Sequence, residues 1–178
     1  MIFINDRLKR WVVIAMLSAM AVVISILEGF IPMAIPDIKL GLANIIILVM
    51  LYEFKPYEAF LVDVVRVLIV ALINGTIASP IFFLSLFGML ASFSIMLLFS
   101  RFNGFSIIIV SILGAVFHMA GQLLSLMMLI DINDVIVAIP VLSLIAIATG
   151  LVTGIAARLY LKRGITAKYL DVNKVNFK

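Results

Sequence analysis

The 178-residue chain is 66% hydrophobic, carries a formal charge of +4, and contains one histidine and no cysteine. A soluble domain is only about half apolar, so this composition excludes an ordinary water-soluble fold and points to an integral membrane protein. Disulfides and thiolate metal sites are excluded, a lone histidine builds no metal cluster, and neither a metal nor a cofactor is expected.

A helix that spans a bilayer needs about 20 apolar residues, with roughly 17–25 tolerated. The hydropathy pattern predicts six spans, over 11–27, 40–52, 57–73, 77–99, 105–130 and 135–161. The stretch "NDRLKR" before the first has the basic character of a signal peptide. No small-residue cleavage site followed by a polar mature domain comes after it, so this run is expected to be retained as a span. Pro32 and Pro36, in "PMAIPDIKLG", separate the first span from the short second one. The third carries Asp63 and Arg66 and follows "EFKPYE". "NGTIASP", "SRFNG" and "DIND" punctuate the remaining spans. The expected organisation is one six-helix membrane domain over 1–163, followed by a basic cytoplasmic tail over 164–178 that either lies on the membrane surface or is disordered.

Of the 13 Lys and Arg residues, all but Lys39 and Arg66 fall on one side of these spans. The positive-inside rule then puts both termini in the cytoplasm, with the connections after spans one, three and five outside. The basic excess therefore reads as a topology signal rather than as a footprint for nucleic acid, and no nucleic-acid partner is expected.

Polar residues within spans mark substrate or ion pathways by default. Glu28, Lys39, Asn44, Arg66, Asn74, His118 and Gln122 all fall between the midplane and the outer surface. His118 and Gln122 share one helix face, because residues i and i+4 align. Such a cluster predicts an outward-opening pocket for a small molecule. Each member also has a plainer reading. Asp63 and Arg66, at i and i+3, can simply pair; His118 can be a packing residue; Asn44 can cap or join helices. Glu28 can be a solvated helix end, and Lys39 can reach the headgroups. Ala15 and Ala19 form a small-xxx-small face on the first span, suited to close helix approach within the chain or with a partner subunit.

The stretches "KLGLANIIILVMLYEF", "DVVRVLIVALINGT", "SPIFFLSLFGMLASFSIMLL" and "VSILGAVFHMAGQLL" resemble the Gx transporter family, often labelled heptaprenyl diphosphate synthase component I. The resemblance covers 15–124 well and the sixth span more loosely; Met119 stands where the family pattern has Asn. It implies an S-component-like bundle, the substrate-binding subunit of an energy-coupling-factor importer in the bacterial plasma membrane. The implied substrate is a vitamin-like compound or cofactor precursor, bound near the outer side under the connection between helices one and two. The implied partners are a transmembrane coupling subunit and two cytoplasmic ATPases. Ala15-Met16-Leu17-Ser18-Ala19 matches the A-x-x-x-A motif through which such subunits meet the coupling subunit.

Catalysis is not expected. The sequence holds no G-x-x-x-x-G-K-[ST] phosphate loop, so energy must come from partners. It also lacks the DDxxD motif with which prenyl synthases hold magnesium; Asp131 and Asp134 are a weak imitation. The competing function is an accessory role in isoprenoid or quinone synthesis, and a ligand-free scaffold is a third possibility.

Overall fold

The computed structural model describes residues 6–31, 38–102, 104–128 and 132–164. Pro32, Pro36, Asp131 and the tail from residue 165 lie outside the described residues. The described chain is all helical: α1 (Asp6–Glu28), α2 (Asn44–Glu53), α3 (Pro56–Ile73), α4 (Pro80–Ser100), α5 (Ile107–Leu126) and α6 (Ile132–Arg163). Each predicted span corresponds to one of these helices. Local chemistry sets several of the starts. Pro56 and Pro80 occupy first-turn positions where a missing N–H does no harm. Ser79 and Ser106 accept the N–H groups of Phe82 and Ile109, respectively. Glu58 turns back to accept the Lys55 N–H.

Four helices, α1, α4, α5 and the part of α6 from Ile139 onward, are long and apolar enough to cross a membrane. α3 has 18 residues but includes Glu58, Asp63 and Arg66. α2 has only 10 residues, about 15 Å at the α-helical rise. Its predicted start at residue 40 moves to Asn44 because Gly41, at φ +80°, turns the chain just before the helix. α2 runs through the middle of the bundle and touches all five other helices. This explains its lack of a polar face: Ile46 through Met50 are all buried.

The helices alternate in direction. Arg10 at the start of α1 holds Glu58 at the start of α3 through a bidentate pair, at 3.1 and 2.6 Å, and lies over the Phe54 ring that follows α2. α5 packs extensively against both α4 and α6. Glycines permit this closeness: a Cβ on Gly121 would lie 2.5 Å from the Phe87 carbonyl oxygen, and one on Gly150 would lie 2.6 Å from the Ile112 Cα. Because backbone atoms block both positions, Gly121→Ala is expected to cost on the order of 1–3 kcal/mol. Gly104→Ala, where a Cβ meets nothing within 4 Å, serves as the control. Unfolding of both variants in detergent checks this.

The exterior is far more apolar than that of a soluble protein, while several charged residues are enclosed. Trp11, Met16 and Leu27 on α1, and Val137, Leu144 and Val152 on α6, are exposed. Glu28, Asp63, Arg66, His118 and Gln122 are buried. An apolar exterior, with a cluster of polar and charged side chains enclosed within an otherwise apolar core, is the arrangement that lipid favours and water does not.

Candidate functional site

Several of the buried polar residues gather around the short segment that leads into α2. Glu28, the last residue of α1, accepts the backbone N–H groups of Gly41 and Leu42 through Oε1. From α5, Gln122 grips the same segment: its Oε1 accepts the Lys39 N–H at 2.8 Å and its Nε2 donates to the Lys39 carbonyl at 2.8 Å. One carboxylate and one carboxamide thus strap residues 39–42 down from opposite sides.

Beneath this strap lies the His118 ring, wedged between two glycines. A Cβ on Gly41 would meet the ring carbon Cδ2 at 3.1 Å, and one on Gly88 would meet Cε1 at 3.0 Å. Asn44, in the first turn of α2, donates from Nδ2 to the Ser92 hydroxyl at 3.0 Å. Arg66 enters from α3. Its Nη2 pairs with Asp63 Oδ1 at 2.7 Å, and its Nη1 donates to the Ser25 hydroxyl at 3.0 Å, one turn before Glu28 on α1.

These side chains are more than nine-tenths buried, yet several of their polar atoms have no hydrogen-bond partner: Glu28 Oε2, Asn44 Oδ1, Asp63 Oδ2, Arg66 Nε and both His118 nitrogens. Orphaned buried groups are rare, and each costs about 1–3 kcal/mol when left unpaired. Six such atoms are concentrated in this one cluster. The arrangement offers a guanidinium already neutralised by its own carboxylate, a second carboxylate with one oxygen to spare, an amide oxygen and an imidazole.

Of the residues singled out in the sequence, the fold brings together Glu28, Asn44, Arg66, His118, Gln122 and the backbone of Lys39, whose side chain is half-buried. Asn74 is exposed at the C-terminal end of α3, apart from this group. Ala15 and Ala19 are exposed on the outer face of α1. Ser25, Ser92, Gly41 and Gly88 join the cluster without having been anticipated. Ser25 was discoverable, three residues before Glu28 on the same helix face. Ser92 was not, since nothing in "ASFS" says that Ser92 points inward while Ser94 is exposed and returns its hydroxyl to the Leu90 carbonyl.

A groove of about 620 Å³ between α3 and α4, lined by Phe60, Phe93, Leu97 and Arg101, lies toward the opposite, basic end of the bundle and shares no residue with the cluster. The side chains of the cluster are themselves buried, with little surface open to solvent among the described residues.

No curated protein and no solved structure matches the chain. The model of one family, heptaprenyl diphosphate synthase component I, matches residues 17–160. That range takes in every member of the polar cluster and most of the helical bundle, and the chain belongs to the heptaprenyl diphosphate synthase component I family.

Proposed function

We propose that this chain is the substrate-binding membrane subunit of a multisubunit importer of the energy-coupling-factor type, taking up a vitamin-like small molecule or cofactor precursor. The observation that carries this reading is the set of buried, unpartnered polar atoms of Glu28, Asn44, Asp63, Arg66 and His118 beneath a two-sided strap. In this reading all six helices are embedded in the bacterial plasma membrane, both termini are cytoplasmic, and the strapped end opens outward. The near-absence of cations from that end supports the orientation.

Release of Glu28 and Gln122 from residues 39–42 admits the ligand. Glu28, Asn44, Arg66 and His118 then hold its polar part, with Lys39 at the rim and Asn74 on the approach. The loaded subunit docks on a transmembrane coupling subunit through the Ala15/Ala19 face, and two cytoplasmic ATPases supply the energy this chain has no phosphate loop to harvest. The role is non-catalytic.

A second reading, an accessory of prenyl diphosphate synthesis, is favoured by the family's description. Purification of the tagged protein from its native membrane in mild detergent separates the two. Recovery of a coupling subunit with two ATPases is the expected result; recovery of a prenyl synthase subunit without ATPases would replace it. His118→Leu gives a local check. It removes two unpartnered polar atoms, so stability is expected to hold or rise, while retention of the co-purifying ligand is expected to weaken roughly ten-fold. Unchanged retention would make His118 a packing residue.

A further inference from the structure

We infer that the ligand of this cluster is a neutral or singly cationic nitrogen heterocycle, rich in N–H donors and free of phosphate; the inference rests on the binding-site reading above. The charges enclosed are the carboxylates of Glu28 and Asp63 and the guanidinium of Arg66, with Lys39 half-buried at the rim. Arg66 does not wait for an anion, because Asp63 already sits 2.7 Å from its Nη2. With two carboxylates and two cations already in balance here, a phosphate monoester or diphosphate would add two or more unmatched negative charges to a low-dielectric interior. Buried charge without a matching partner is strongly unfavourable.

The hydrogen-bond inventory points the same way. The unpartnered acceptors are Glu28 Oε2, Asp63 Oδ2, Asn44 Oδ1 and one nitrogen of a neutral His118; the unpartnered donors are Arg66 Nε and the other His118 nitrogen. Even with the Asn44 amide turned over, the two carboxylate oxygens still require donors. A phosphate offers almost only acceptors and would face them unpaired. A ring carrying amide or amino N–H groups beside a carbonyl or ring nitrogen answers both sets.

The test uses the full-length protein purified in mild detergent. Compounds released on denaturation are identified by mass spectrometry and assayed for phosphorus. In parallel, pyrimidine, purine and pteridine bases are compared in equilibrium binding with their phosphorylated counterparts, with inorganic diphosphate and with a short prenyl diphosphate. A phosphorus-free compound, and a base binding at least ten-fold more tightly than its phosphorylated form, are expected. Glu28→Gln is expected to weaken that binding by a further ten-fold or more, since glutamine keeps a carbonyl to cap Gly41 and Leu42 but loses the charge. A retained phosphorylated compound, or saturable diphosphate binding, would overturn this inference and leave the binding site standing. A protein that retains nothing and binds none of the probes would overturn the binding-site reading, and the inference with it.

Discussion

Asp63→Ala is expected to lower stability by about 3–5 kcal/mol, because it leaves Arg66 charged and buried with no carboxylate beside it. Asp63 is fully buried and Arg66 is 4% exposed. Arg66 would keep only its bond to the Ser25 hydroxyl, a neutral acceptor. Arg66→Met should cost a similar amount for the mirror reason, so neither single variant separates a structural role from a ligand-binding one. The double variant Asp63→Leu with Arg66→Met does. Replacing a buried ion pair by apolar side chains is often neutral or stabilising, so detergent unfolding should return to near the parent value. If the pair also serves the ligand, ligand retention is lost in the double variant despite its restored stability. If the pair serves only packing, within α3 and through the Arg66–Ser25 bond to α1, retention survives.

That pair shows how far the sequence could be read. Its i, i+3 spacing made an Asp63–Arg66 contact foreseeable from local geometry alone. The six helices were legible for a similar reason: apolar runs and proline or glycine punctuation are local signals. The inward gathering of Glu28, Asn44, His118 and Gln122 followed from depth along alternating spans, without knowledge of which helices touch. What stayed hidden depends on rotation and contact. Asn74 shares the depth of the cluster but ends on an exposed face. The grip of Gln122 on the Lys39 backbone spans 83 positions of sequence, and no pattern within α5 announces it. The Arg10–Glu58 pair was equally obscure, because each residue alone looks like an ordinary basic or acidic helix start. The shortness of α2 turned on one left-handed residue, Gly41, inside an apolar run that hydropathy reads as continuous.

On the importer reading proposed above, Ala15→Leu combined with Ala19→Leu is expected to reduce recovery of the proposed coupling subunit at least ten-fold while leaving stability within about 0.5 kcal/mol, the usual range for surface substitutions. On α1 the two alanines are exposed among larger exposed neighbours, Trp11, Met16, Met20 and Val23, so they form a shallow depression in an otherwise bulky apolar face. Lipid tails have no use for such a depression. On insertion scales leucine is at least as welcome as alanine facing hydrocarbon, and a purely lipid-facing α1 would tolerate the change. A partner helix does need it, since association in lipid depends on close backbone approach rather than on a hydrophobic drive. The face is also held steady: the bidentate Arg10–Glu58 pair ties the start of α1 to α3, and the Ser25–Arg66 bond ties its other half to the same helix. Ligand retention by the isolated protein should be unchanged, because Ala15 and Ala19 lie outside the polar cluster. Loss of the partner with ligand binding intact would locate docking on this face; full recovery of the coupling subunit would show that α1 faces lipid there and that docking uses another helix.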